Sequence, residues 1–391
     1  MAPGVTSGSG GFVAAWRREL HHLRHDAWDL GCITWLPFVM LAAMAWLFTN
    51  SVMRDVPVAF VDLDHSPESR MLARMVDHAP GVAVTGQWAD RAQAMASLRR
   101  LEVFAVVLVP RDMSREAMRG GESKVVVFYN AAYLTTGQVV LREISGAVGA
   151  FNSRLLVEQI GAQVGPSRLR GAPLAVQANI LYNPQASFEL FLLPLIFPSL
   201  LSLVAALAAA TALGRELRDG TVDEWLGTRP WGSIAGKLAP YVVVFSVYGV
   251  LSLVYLAWIR GIGVAGSVLV LVLAQPLLYM TSCSVPLMVA GLSRDMTRTL
   301  SFVALFIGTA LPFTGATFPV TDAPLFTRIW NLLLPLTAYI KLQTQQLIIG
   351  SPWAVSLWPI GTLCLIVLVT GGIGAMRLAA GTRAEVQAAA A

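Results

Sequence analysis

The residues best placed to do chemistry in this chain are charged side chains between residues 214 and 240. Arg215, Glu216, Asp223, Glu224 and Lys237 lie there, between long segments without any charge. Such a cluster can dock a partner protein, or it can anchor a short amphipathic helix at a membrane surface. The chain has no Gly-x-x-x-x-Gly-Lys-Ser/Thr phosphate loop, so we do not expect it to bind ATP itself.

The same segment predicts a short surface helix. Gly220 can end the preceding helix with a left-handed cap, and Thr221 stands three residues before Glu224, which is a capping-box spacing. Pro230 would end the short helix, and Lys237 would precede the next apolar segment. The residues left exposed to the cytoplasm would be Asp223 and Glu224.

A second polar cluster consists of Asp62, Asp64 and His65. Two carboxylates and an imidazole could hold a metal ion. They also follow a predicted strand and precede Ser66, which can cap a helix. We favour the strand end and helix cap, and we expect no metal and no cofactor on this chain.

Two further groups interrupt the apolar part of the chain. Glu189 lies at the predicted outer mouth of a membrane span, where a charge is a weak candidate for contact with a substrate. Prolines and a glycine interrupt the chain directly before and within the segment 313–350, and broken backbone is tolerated at membrane depth only where protein or water covers it. We therefore predict an external re-entrant segment with a gate, formed by Pro312, Gly315, Pro319 and Pro335.

The elements that hold these residues must lie largely in lipid. Hydrophobic residues make up 55% of the chain and charged residues 13%, with a mean hydropathy of +0.63. A soluble domain carries about 25% charged residues. The composition excludes a purely soluble enzyme, a disordered chain and a fibrous protein.

Charge-free stretches long enough to cross a bilayer predict six transmembrane helices. In the last stretch the span should begin after Pro352. With the N-terminus inside, the predicted inner segments hold eleven Lys/Arg and the short outer ones four, which favours cytoplasmic N and C termini. The stretches are 30–53, 190–214, 238–259, 261–293, 300–321 and 342–376.

One segment differs in character from the rest. Residues 55–186 carry thirteen Lys/Arg and twelve Asp/Glu, and strand patterns alternate there with helix patterns. The predicted fold is a membrane all-α bundle of six helices with an extracytoplasmic α/β domain inserted between the first two. The predicted divisions are 1–26, 27–53, 54–186, 187–378 with the inner loop 214–237 and the outer segment 313–350, and 379–391.

The inner loop resembles a signature of ABC-type-2 exporter permeases, which reads approximately Arg-Glu-x-x-x-Gly-Thr, then Pro, then Gly-Lys. Three other segments resemble the subfamily that has a large external domain and works with a membrane-fusion protein. Those segments are 61–70, 313–319 and 334–339. The matching loop residues are Arg215, Glu216, Gly220, Thr221, Pro230, Gly236 and Lys237.

The resemblance implies a transport permease of the bacterial inner membrane that exports a hydrophobic or amphipathic substrate. In that family the loop helix couples to a separate ABC ATPase subunit, which would bind the ATP and Mg. The implied partners also include a second permease copy, in a homodimer or heterodimer, a membrane-fusion protein and the bilayer, and no nucleic acid. The alternative is a membrane-anchored receptor or assembly protein without transport.

Overall fold

A computed structural model describes residues 10–48, 54–88, 90–118, 124–130, 134–163, 187–317, 320 and 323–390. The chain divides into two compact units, one made of Met1–Thr49 with Glu189–Ala391 and the other of Asn50–Phe188. The domain limits predicted at 53 and 186 fall outside the described residues and stay predictions.

Helices dominate the structure. In chain order they are α1 Phe12–His25, α2 Ala27–Ile33, α3 Trp35–Leu47, α4 Pro67–Asp77, α5 Arg91–Arg99, α6 Met113–Met118, α7 Leu134–Gln163, α8 Phe188–Asp219, α9 Val222–Leu226, α10 Pro230–Val254, α11 Val268–Ser293, α12 Met296–Gly308, α13 Ala310–Phe313, α14 Leu325–Leu333, α15 Pro335–Gln343, α16 Leu357–Ile366 and α17 Gly372–Ala390. Short π-helical turns extend α10 (Tyr255–Ile259) and α15 (Thr344–Ile349) and join α16 to α17 (Val367–Gly371).

The second unit is built on a four-stranded sheet in the order β2-β1-β3-β4. The first three strands are parallel, and β4 pairs antiparallel with β3. Central β1 is an apolar run because both faces of a covered parallel sheet are buried. Its residues alternate between a core with α4 and α7 and a core with α5. The strands are β1 Val56–Asp62, β2 Val82–Trp88, β3 Ala105–Val109 and β4 Val126–Tyr129.

Five helical segments of the described chain are long and apolar enough to cross a membrane. The last begins directly after Pro352, as predicted from the sequence. The five are Ala27–Leu47, Glu189–Asp219, Pro230–Ile259, Val268–Ser293 and Trp353–Gly381.

The stretch predicted as the fifth of six spans has a different structure. Its helix α12 has 13 residues, about 20 Å of helix against the roughly 30 Å of a hydrocarbon core. Thr309 then leaves the helical conformation, and only the four-residue α13 follows. By helix length, five of the six predicted crossings are present among the described residues.

The segment after α13 is not one continuous helix. α14 ends at Leu333, Leu334 is extended, and Pro335 opens α15 in its first turn. The Asn331 amide Nδ2 donates to the Phe313 carbonyl at 2.6 Å, which holds α14 against the end of α13. Pro312 lies in α13. Pro319 is outside the described residues, and the gate stays a prediction.

Candidate coupling site

The short helix α9 has one buried and one exposed side. Trp225 and Leu226 are buried, whereas Asp223 and Glu224 are exposed. The Trp225 indole Nε1 donates to the Ser233 carbonyl at 3.3 Å, and the Ser233 hydroxyl donates to the Leu226 carbonyl at 3.0 Å. These contacts fix α9 on the start of α10 with its acidic pair outward.

Two predicted details of this helix are wrong. Thr221 makes no side-chain cap on α9, because its hydroxyl donates to the Glu216 carboxylate instead. Pro230 does not end α9. Gly227, at φ +52°, ends it, and Pro230 stands in the first turn of α10, where its missing N–H has no partner to lose. Gly220, at φ +66°, follows the last residue of α8 as the sequence predicts.

Lys237 lies inside α10 and is 2% exposed, so the prediction that it precedes the span is also wrong. Its ammonium Nζ donates to Glu19 Oε2 at 2.6 Å and to Glu216 Oε1 at 2.8 Å. It also stands over the Trp225 ring, 5.3 Å from the centroid, at a distance typical of a cation–π contact. One buried cation thus joins α1, the end of α8, and α9.

Further side chains complete this ionic cluster, which runs from the buried Lys237 to the exposed Arg18. Arg215 donates to Glu19 Oε1 at 2.7 Å and to Asp29 Oδ2 at 2.9 Å. Arg18 pairs with Glu216 at 3.1 Å, and the Tyr241 hydroxyl donates to Glu19 Oε1 at 2.6 Å. The three cations equal the three carboxylates in number. The cost of removing these charges from water is therefore offset by ion pairing, and the groups can stay ionised. We call the set the ionic cluster: Arg18, Glu19, Asp29, Arg215, Glu216 and Lys237.

The electrostatics of Glu19 follow from this arrangement. Burial alone would raise the pKa of its carboxyl, because the charged form loses water. The positive charges of Lys237 and Arg215, with the hydrogen bonds from Lys237 and Tyr241, outweigh burial and hold the pKa below its ordinary value. Glu19 is therefore an anion throughout the neutral pH range.

Glu19, Asp29 and Tyr241 were not identified from the sequence. The signal for Glu19 was present, because Ala15, Glu19 and Leu23 fall four residues apart on the buried face of α1. An acid on that face needs a buried cation as partner.

The backbone of α1 also lies close to α10. A Cβ atom placed on Gly236 would be 2.2 Å from the Phe12 carbonyl oxygen, so no larger residue fits there without a shift. This glycine belongs to the Gly-Lys pair of the loop signature. Its role in the structure is close packing of two helices.

The other predicted site residues lie elsewhere. Glu189 is buried at the start of α8 and pairs with Arg260, which follows the π turn of α10. Asp62 accepts hydrogen bonds from the amides of Asp64 and His65, each at 3.0 Å, as a strand-end turn requires. Ser66 caps α4.

One group among the described residues has metal-ligating side chains close together. Ligand atoms of His22, Asp26 and Asp29 lie within 4.8 Å of one another. Asp26 accepts hydrogen bonds from the Trp28 and Asp29 amides in the first turn of α2, and Asp29 binds Arg215 and His22. The Arg215 guanidinium beside Asp29 would repel a metal ion. Helix capping and ion pairing therefore explain why these three side chains lie close together.

The fold defines a multi-pass helical membrane protein with a separate α/β unit. Residues 28–376 match the family model described as ABC-2 family transporter protein, and the chain belongs to that family. It is therefore a transport permease, the membrane subunit of an ABC transporter in the inner membrane. The family implies a separate ATPase partner and dimerisation.

Two curated relatives support this assignment. Both are named "Probable multidrug ABC transporter permease YbhS", one from Escherichia coli strain K12 and one from Escherichia coli O157:H7. Each is 18% identical over 267 residues, which cover 67% of this chain and 69% of the relative. No solved structure matches the chain.

Proposed function

We propose that this chain exports a hydrophobic or amphipathic substrate, driven by ATP that is bound with Mg on the partner ATPase, and that α9 is the helix on which that ATPase acts. The observation that carries the proposal is the orientation of α9. Asp223 and Glu224 point away from the protein, while Trp225 rests on Lys237. A displacement of α9 by the ATPase would therefore be transmitted through Trp225 to Lys237 and the ionic cluster.

Several parts of the proposal rest on the sequence and the family. The charge count favours cytoplasmic N and C termini, which places α9 on the ATPase side. The resemblance supports a membrane-fusion protein as a further partner, and the word "multidrug" in the relatives' names supports hydrophobic cargo. A receptor that is only anchored needs one span, whereas five helices of the described residues could cross the membrane.

Replacing Glu224 with Lys tests the ATPase contact. Charge reversal at a desolvated protein contact costs on the order of 2–5 kcal/mol, so ATPase binding and stimulation should fall while membrane insertion is unchanged. The measurement mixes purified permease with purified ATPase. Glu116→Lys, at an exposed position of α6, is the matched control. Wild-type binding and stimulation by Glu224→Lys would return α9 to the role of an interfacial anchor.

A further inference from the structure

A cavity of about 670 Å³ opens beside the first turns of α8. Its walls come from α8, α15, the π turn after α15, and the loop beyond α13. Leu190 at the cavity and Arg215 in the ionic cluster are both on α8, about 37 Å apart along an ideal helix. The cavity and the candidate coupling site therefore lie at opposite ends of one helix.

The lining of this cavity is apolar with a single charge. Lys341 is the only ionisable residue of the lining, and no carboxylate pairs with it among the described residues. The remaining polar groups are uncharged, with Thr314, Asn331 and Gln345 among them. The main apolar residues are Leu190, Phe191, Leu195, Val320, Ile340 and Ile348.

One wall of the cavity is a π-helical turn, Thr344–Ile349, a conformation that is rare and often found at functional sites. Gln346 fixes this turn. Its Nε2 donates to the Ser356 hydroxyl at 2.8 Å, and its Oε1 accepts the Ser267 amide at 2.8 Å. The turn is thus held on both sides by hydrogen bonds of the buried Gln346 side chain.

The opposite wall is joined to the first by a side chain. Pro198 has no N–H, so the Pro194 carbonyl lacks its usual helical donor. The Gln343 amide of α15 donates to that carbonyl at 2.6 Å. This contact fixes α15 to α8 beside the cavity, which indicates a site that exists before a ligand arrives.

We propose that this cavity binds an anionic amphiphile with a single hydrocarbon body, whose head group pairs with Lys341. The apolar lining of the cavity would contact the hydrocarbon part of the ligand, and the positive charge of Lys341 would favour a negatively charged head group. The volume is within the range of about 300–1,000 Å³ that holds drug-sized ligands. This inference deepens the proposed export function, because it assigns a substrate class to that function.

Binding can be measured on the purified full chain in nanodiscs of zwitterionic lipid, without the ATPase. The probes are dansyl-labelled undecanoic acid and its uncharged methyl ester. The acid should bind saturably, and Lys341→Gln should weaken it about tenfold, the usual size of one charge-assisted contact. The ester should bind wild type and Lys341→Gln equally. Ile348→Trp, which fills the cavity, should weaken both probes.

Arg328→Gln is the matched control, because Arg328 is an exposed cation of neighbouring α14 that does not line the cavity. It should bind both probes as wild type does. Equal binding of the acid by wild type and Lys341→Gln overturns the assignment. Displacement of the acid by phosphatidylglycerol but not by unlabelled oleate also overturns it, in favour of a resident phospholipid. Wild type that stimulates the ATPase yet binds no acid would remove this inference and leave the proposed function standing.

Discussion

Glu19 is the residue on which most of the ionic cluster depends, since Lys237, Arg215 and Tyr241 all bond to it. Glu19→Gln keeps the shape and removes the charge, which leaves a buried excess of positive charge. Breaking a buried pair in this way costs about 3–5 kcal/mol, so the thermal unfolding midpoint should fall sharply. The measurement is unfolding of the purified permease, with the exposed Glu116→Gln as control.

The ionisation of Glu19 also predicts how the stability difference between wild type and Glu19→Gln changes with pH. The pKa of Glu19 is lower in the folded protein than in the unfolded chain, so its contribution is complete above the ordinary glutamate pKa of about 4.3. That contribution is lost as pH falls through the lowered pKa. The difference in free energy of unfolding between wild type and Glu19→Gln should stay constant from pH 6 to 8 and become smaller only at acidic pH. A stability difference that becomes smaller near neutral pH would contradict the lowered pKa of Glu19.

The sequence could not have placed Glu19 beside Lys237. The two are 218 positions apart, and helical periodicity shows only which face of α1 is buried. The charges between 215 and 237 were visible as candidates. Their pairing inside the protein, and hence the burial of Lys237, depends on α1 packing against α10.

At the scale of elements, the contact between α1 and α10 depends on Gly236. Gly236→Ala would place a Cβ 2.2 Å from the Phe12 carbonyl oxygen, so α1 must move away. Such overpacking costs about 1–3 kcal/mol. We expect a lower unfolding midpoint and weaker stimulation of the ATPase, because α1 carries Glu19. Purified permease with ATPase measures both quantities.

Gly361→Ala is the control that replaces a helical glycine with alanine where the added Cβ causes no steric clash. A Cβ at Gly361 in α16 meets nothing within 4 Å. Stability should be unchanged or slightly higher there, since alanine favours helix over glycine. If Gly236→Ala behaves like Gly361→Ala, the close approach of α1 and α10 does not hold the cluster together.

The helices themselves were predicted with uneven success, for a physical reason. A charge-free run of about 20 residues is a local property, so spans such as 190–214 can be recognised from composition alone. Thr309 ends α12 without any charge to mark the break, which is why 300–321 looked like a full span. Breaks of this kind depend on packing around the helix end.

At the scale of the whole molecule, sidedness is the property that connects the candidate coupling site with the cavity. If α9 faces the cytoplasm, the cavity lies toward the outer end of α8, where an exported amphiphile would leave. The eleven-to-four distribution of Lys/Arg is the basis for that orientation.

Single cysteines at Glu116 and Thr228 should label from opposite sides of the membrane. Both positions are exposed, and Cys32, Cys283 and Cys364 must first be replaced. In intact cells an impermeant maleimide should modify Glu116→Cys, whereas Thr228→Cys should react only after permeabilisation. The Cys-free parent gives the background, and transport by each variant shows that it is inserted correctly. Labelling of both cysteines in intact cells would place α9 outside, where no cytoplasmic ATPase could reach it.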